Sequence, residues 1–291
     1  MKREVWVHTT SGYKREAIPA QRLMHLLYQN PAGKASLLFL AKRKMLSRLY
    51  GAYCRTHFSA RMIPGFIEEY EVDMAGCSGN YKSFAEFFSR EKTGLSFPED
   101  LKVLGSPCEG LARAYTNIDP KRLIAAKGST FSLSQLLGSK ALANSYCGGN
   151  MVAVRLTPAN YHRVHFFDSG AVKARKLIDG DLYSVNPLAV ESIARLYCQN
   201  KRAVTLFASH NFGNVAMVEV GATFVGSIVY CTGAHEQVVR GQQASYFLPG
   251  GSLLLMFFGP GIFVPCTGLL EQTSAGYETK VQVGQPLGQK V

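Results

Sequence analysis

The sequence predicts an α+β protein, with an N-terminal helical region followed by a largely antiparallel β core. Three observations point to this class. In the first hundred residues, apolar positions recur at helical spacing, as in Leu38, Ala41, Met45, Leu49 and Tyr53. From about Leu101, short β-rich runs alternate with Gly, Pro, Asn and Ser, the texture of hairpin-linked strands. Hydrophobic residues make up 47% and charged residues 18% of the 291, which suits a packed core and argues against disorder. The expected division is a helical, basic region over 1–100 and a β-rich core over 101–291.

The amphipathic stretch 38–53 carries Lys42, Arg43, Lys44 and Arg48 on its polar face. Such a helix can lie on anionic lipid. It can equally be a core helix with a solvated basic side. Pro64 punctuates the next segment, and Ser83-Phe84-Ala85-Glu86 has capping-box spacing. A short helix through Phe87, Phe88 and Arg90 follows, its aromatic residues docking onto the core. Beyond it, strands are expected over 151–156, 203–208, 215–220, 223–230 and 253–258, with one helical stretch near 187–197. There is no internal repeat and no low-complexity tract.

The formal net charge is +12. A positive surface attracts nucleic acid or anionic membrane, and composition alone does not separate these from an incidentally basic enzyme. The seven cysteines form no Cys-x-x-Cys pair, and their odd number fits a reducing compartment better than a disulfide framework. The N-terminus lacks the apolar run of a secretory signal. The best apolar run, 253–258, stops at Gly259-Pro260-Gly261, far short of the roughly 18 residues a span needs. Membrane contact is therefore expected to be peripheral.

Three local features could carry chemistry. Tyr161-His162-Arg163-Val164-His165 gathers two histidines and an arginine in five residues. In a strand, positions three apart face opposite sides, so one imidazole can enter a pocket while the other does not. Histidine suits proton transfer near neutrality, and a structural His pair is the competing reading. No metal is expected, since the cysteines supply no further ligands at suitable spacing. Pro249-Gly250-Gly251-Ser252 ahead of an apolar run reads as a hairpin connection. It is also a junction where a hydroxyl can attack the preceding carbonyl, which glycine leaves open. Ser106-Pro107-Cys108-Glu109-Gly110 is a turn with one carboxylate, important only if it orients a histidine.

Together these segments resemble the phosphatidylserine decarboxylase family. The resemblance rests on Phe84-Ala85-Glu86-Phe87-Phe88-Ser89-Arg90, Ser106 to Gly110, Lys127-Gly128 with Ser132-Leu133, and Tyr161 to His165. It continues through Tyr183-Ser184-Val185-Asn186-Pro187, Val220-Gly221-Ala222-Thr223, Val225-Gly226-Ser227-Ile228, Gly250-Gly251-Ser252 and Gly284-Gln285-Pro286-Leu287-Gly288. Each piece is weak alone; their order and spacing are specific.

The resemblance implies a self-processing enzyme that converts phosphatidylserine to phosphatidylethanolamine. Ser252 would attack the Gly251 carbonyl, turning the amide into an ester. Elimination would then split the chain, leaving a dehydroalanine that hydrolyses to a pyruvoyl cofactor at the head of the small fragment. The carbonyl cofactor would serve as the electron sink for the carbanion left by loss of CO2. By the same resemblance His165 would be the base for Ser252, Glu109 would steady it, and His162 would serve substrate handling and decarboxylation. The expected partners are phosphatidylserine, an anionic membrane surface and the two fragments of the chain, with no nucleic acid and a homo-oligomer left open. The expected location is peripheral, on the cytoplasmic face of the cell membrane if the source is bacterial.

Two positions depart from the family pattern. Glu109 stands where aspartate is usual, adding one methylene, and catalysis is sensitive to misplacement of about 1 Å. Leu253 stands where Ser or Thr usually follows the nucleophile, removing a hydroxyl that could bond a developing oxyanion or the substrate carboxylate. A processing-defective pseudoenzyme that binds anionic lipid or a protein partner is the alternative. A pyruvoyl enzyme acting on a soluble amine-bearing acid is a third.

Overall fold

The apolar runs of the second half of the chain assemble a ten-stranded sheet in the computed structural model, which describes residues 6–15, 44–121, 123–126, 129–193, 195–222 and 228–291. In chain order the strands are β1 (Trp6–Thr9), β2 (Gly12–Arg15), β3 (Val103–Gly105), β4 (Gly110–Tyr115), β5 (Leu123–Ala126), β6 (Ser129–Phe131), β7 (Asn150–Leu156), β8 (Arg163–His165) and β9 (Gly170–Ile178). They continue with β10 (Arg202–Ser209), β11 (Gly213–Gly221), β12 (Ile228–Tyr230), β13 (Gln237–Val238), β14 (Gln243–Phe247), β15 (Ser252–Phe258), β16 (Phe263–Pro265), β17 (Glu278–Val281) and β18 (Pro286–Lys290). The large sheet runs β13-β9-β10-β11-β15-β7-β4-β17-β1-β2 and is antiparallel except where β1 lies beside β17. A β12-β14-β8 sheet, a β16-β18-β3 sheet and a β5-β6 hairpin complete the β structure.

β15 sits at the centre of the large sheet, and all seven of its residues are buried. Covered on both faces, it reads as a continuous apolar run with no polar alternation. Leu253, Leu255 and Phe257 enter one core layer with Leu133, Leu136, Ala189 and Leu196 from short helices on that face. Leu254, Met256 and Phe258 enter the other, shared with Val164 of β8 and Ala244 and Phe247 of β14. The small β12-β14-β8 sheet thereby lies over the face to which even-numbered residues of β15 point.

The N-terminal helices form a third cluster around Phe84, Phe87 and Phe88. The Phe84–Phe88 helix begins as expected: Ser83 Oγ accepts from the Glu86 backbone N–H at 3.2 Å. Glu86 Oε2 reaches back to the Lys82 N–H at 2.7 Å, one residue earlier than the usual reciprocal bond. The Lys44–Cys54 helix supplies the C-terminal part of the amphipathic stretch.

The helical expectation for 1–100 needs one correction. Residues 6–15 form the β1–β2 hairpin, and β1 pairs with β17 through Val7 with Glu278 and His8 with Thr279. Trp6-Val7-His8-Thr9 is aromatic and β-branched, and Gly12 turns the chain at φ +107°, so β geometry is favoured locally. Of the strand expected over 223–230, only Ile228–Tyr230 lies within the described residues. Among the described residues, no helix is long and apolar enough to cross a membrane.

Candidate active site

Ser252 is the first residue of β15 and is flanked by the ends of two neighbours. Its register partners are Leu156, the last residue of β7, and Gly221, the last of β11. Gly250 turns the chain into this position at φ +144°, a conformation that residues with a Cβ rarely adopt. A Cβ built on Gly251 would meet only ordinary contacts, Val185 at 3.6 Å and Ala222 at 3.7 Å. Steric space therefore does not enforce glycine at 251. Ser252 itself is completely buried.

The chain leaving β7 turns at Thr157 to Asn160 and returns beside the strand end it has just left. That return brings His162 to Ser252, with Nδ1 3.4 Å from the serine Oγ. The other ring nitrogen, Nε2, lies 2.9 Å from the Thr157 carbonyl oxygen. A carbonyl can only accept, so Nε2 carries the proton and Nδ1 presents a lone pair to the serine hydroxyl. Phe88 stacks on the imidazole at 4.0 Å between ring centroids and an interplanar angle of 27°. This fixes the ring plane and excludes water.

Burial, and secondarily the Arg90 charge, push the His162 imidazole down to a pKa of about 3. It is therefore neutral across the physiological range. Unfolded, the same histidine takes a proton near pH 6.5, so between pH 6.5 and 3 the unfolded chain binds more protons. Stability is accordingly lost as pH falls through that window. From this group alone the fold is expected to be about 2 kcal/mol less stable at pH 5 than at pH 7. Urea unfolding of the Ser252→Ala protein at the two pH values measures this, and His162→Gln in the same background should flatten the difference.

Among the described residues, His165 makes no hydrogen bond to Ser252. Its Nδ1 lies 2.9 Å from the Gly241 carbonyl oxygen and its Nε2 lies 3.1 Å from the Tyr161 hydroxyl. Nδ1 therefore donates to Gly241, and the Nε2 lone pair accepts from Tyr161. Burial lowers the His165 pKa, opposed by the Gly241 bond. Glu109 is buried at the head of β4, where Asn160 Nδ2 donates to its Oε1 at 2.9 Å. Among the described residues neither His165 nor Ser252 is hydrogen-bonded to Glu109. The hydrogen bonds expected along Ser252–His165–Glu109 are not formed in this arrangement; the Ser252 hydroxyl lies beside His162, which has the Thr157 carbonyl behind it.

The Leu253 side chain faces away from that of Ser252. Adjacent residues of a strand face opposite ways, and the Leu253 side chain packs in the core layer away from Ser252. A hydroxyl there would not project to the Ser252 side of the sheet.

Several contributors escaped the sequence reading. Thr157, Asn160 and Phe88 hold His162 directly or through one bond. Arg90, 3% exposed, donates to the carbonyls of Ala159 at 3.1 Å and Asn160 at 3.3 Å, bracing the same turn. Its place in the Phe84-to-Arg90 segment was a signal, as was a Thr-x-x-Asn turn directly after a strand. Lys42 and Arg43, named for membrane contact, lie outside the described residues; Lys44 and Arg48 lie in the Lys44–Cys54 helix, but their side chains are not among those described.

Comparison with known proteins identifies the family. The phosphatidylserine decarboxylase family model matches residues 82–289, which include every residue of the site. The chain is 37% identical over 292 residues to a phosphatidylserine decarboxylase proenzyme of Clostridium perfringens, covering 99% of each chain. It is 39% identical over 293 residues to that of Clostridium beijerinckii, again covering 99% of each. With the proenzyme of Ruminiclostridium cellulolyticum it shares 38% over 290 residues, covering 98% of this chain and 97% of the relative. A match across more than half the chain and full-length identity at this level show that the chain belongs to the phosphatidylserine decarboxylase family.

Proposed function

We propose that this chain is a proenzyme that cleaves itself between Gly251 and Ser252 and then decarboxylates phosphatidylserine to phosphatidylethanolamine, a carboxy-lyase reaction. The observation that carries the reading is the Ser252 hydroxyl, buried and facing the lone pair of a neutral His162 at 3.4 Å, in a full-length relative of such proenzymes. The hydroxyl oxygen attacks the Gly251 carbonyl carbon. His162 Nδ1 takes its proton and returns it to the Ser252 nitrogen as the C–N bond breaks, leaving an ester. A base this weak suffices because the proton only crosses from one atom of Ser252 to another. Loss of the Ser252 α-proton then breaks the Cβ–Oγ bond and frees the Gly251 carboxylate. Water replaces the nitrogen, which leaves as ammonia.

The site fits the pyruvoyl group that results, because this group has fewer heavy atoms than the serine residue it replaces and needs no new cavity. When formed, it supplies the electron sink for loss of CO2. His162 is the imidazole closest at hand to hold or move a proton there, and the stacked Phe88 keeps the site dry. The conversion would leave a large fragment ending at Gly251 and a small one beginning at the former Ser252.

The enzyme's docking to an anionic membrane surface is supported by the region 49–61. Leu49, Tyr53 and Phe58 are exposed there at 60%, 45% and 67%, and exposed Arg55 and Arg61 flank them. Exposed large apolar side chains near guanidinium groups, as where Arg61 lies over the Phe58 ring, suit a peripheral site on anionic lipid. Peripheral attachment at the cytoplasmic face would put the site beside its substrate.

The test is to mix the purified protein with phosphatidylserine vesicles at low and high salt. Conversion to phosphatidylethanolamine with release of CO2 is expected, slower at high salt as surface attraction is screened. No conversion from cleaved, folded protein would contradict the assigned reaction. A rate indifferent to salt would contradict the electrostatic part of the docking.

A further inference from the structure

Gly251 rests against side chains from outside its own strand. The position a Cβ would take there lies 3.6 Å from Val185 and 3.7 Å from Ala222. Val185 stands just beyond Tyr183 in the chain, and Ala222 directly follows Gly221 at the end of β11. One side chain ties these two segments together. Asn200 Nδ2 donates to the Tyr183 carbonyl at 2.7 Å and to the Gly221 carbonyl at 2.8 Å, while its Oδ1 accepts from the Tyr183 backbone N–H at 3.0 Å. The orientation of the amide is forced, since a carbonyl can only accept and a backbone N–H can only donate.

Asn200 is itself held in place. It is completely buried, so water cannot readily stand in for its amide. Its backbone N–H donates to the Leu196 carbonyl at 3.0 Å, and its carbonyl accepts from Arg202 Nη1 at 3.0 Å. The next residue, Lys201, accepts from the Gly221 N–H at 2.9 Å. Both backbone polar groups of Gly221, the register partner of Ser252, are therefore fixed by residues 200 and 201.

We propose that Asn200 is a positioning residue for self-cleavage. Its amide sets the spacing of the Tyr183 and Gly221 segments, and so where the Gly251 carbonyl sits relative to the Ser252 hydroxyl. The inference rests on reading Gly251–Ser252 as the self-cleaved bond, and it is independent of which imidazole takes the hydroxyl proton. Once that bond is cut, Gly251 is the end of the large fragment and its alignment no longer matters. Asn200 therefore serves cleavage more than the later loss of CO2.

Two substitutions test this. Asn200→Asp keeps the acceptor for the Tyr183 N–H but sets a charge against two carbonyls. Asn200→Ser adds no charge, but one hydroxyl cannot bridge all three groups. Each is expected to slow self-cleavage about a hundredfold, the scale of a 1 Å misplacement. The fraction that has cleaved after long incubation should decarboxylate phosphatidylserine vesicles within about tenfold of the unaltered enzyme, per cleaved chain. Leu136→Ala opens a cavity in the same core layer without removing any of the three bonds, so it should lower the melting temperature yet cleave within about tenfold. Time courses on denaturing gels read the cleavage, and melts in a Ser252→Ala background read the fold. Cleavage of both Asn200 variants at the unaltered rate would overturn the proposal. So would equal slowing by Leu136→Ala at a matched fall in melting temperature, or an equal loss of decarboxylation per cleaved chain, because a merely structural role gives these results. Failure of the unaltered chain to cleave would instead overturn the self-cleavage reading beneath it.

Discussion

Ser252→Ala is expected to yield a single uncleaved chain of 291 residues with no decarboxylase activity. The substitution removes the only atom that attacks the Gly251 carbonyl, and with it the source of the electron sink, so both losses should be complete. The fold should survive. Ser252 is completely buried, its register with Leu156 and Gly221 is made by backbone, and alanine fills nearly the same space. The hydroxyl's contact with His162 is long at 3.4 Å, so its loss should cost about 1 kcal/mol or less. Intact mass and a thermal melt check the two halves of this expectation. Cleavage at the same bond in the alanine variant would mean that a different group breaks the chain.

The second large effect concerns the imidazole. His162→Gln should slow self-cleavage by about 10²–10⁴-fold, the usual contribution of a positioned proton acceptor. His165→Gln should leave cleavage within about tenfold, because both ring nitrogens of His165 are engaged by Gly241 and Tyr161. A time course of fragment appearance in freshly folded protein distinguishes the two. The reverse pattern, with His165→Gln blocked and His162→Gln cleaving, would show that the family correspondence predicts the base better than the contact at Ser252 does.

The difference between these histidines shows where sequence reasoning ended. In Tyr161-His162-Arg163-Val164-His165 the argument from strand alternation assumed that both histidines lie in one strand. β8 begins only at Arg163, so His162 belongs to the preceding turn and obeys no twofold period. Its position is set by the Thr157–Asn160 turn and by Phe88, which lies 74 residues earlier in the chain. The bond from Asn160 to Glu109 spans 51 residues, and no local pattern announces it.

The direction of the Leu253 side chain was legible. Once 253–258 is taken as a strand, Ser252 and its neighbour must face opposite ways, and the structure places them so. The central strands were read well because their apolar runs are long: 151–156, 203–208 and 215–220 fall inside β7, β10 and β11. The β1–β2 hairpin was missed because its strands are four residues each at the sheet edge, where little burial marks the pattern. Thus the scaffold follows from local hydrophobic periodicity, whereas the arrangement around Ser252 follows from contacts between distant segments.

The intact mass of the freshly purified, unaltered protein tests the central claim most directly. Two polypeptides are expected, one with the mass of residues 1–251 and one with that of residues 252–291 carrying a pyruvoyl group in place of its first serine. A single mass equal to the full 291-residue chain, from protein that melts cooperatively, would contradict it.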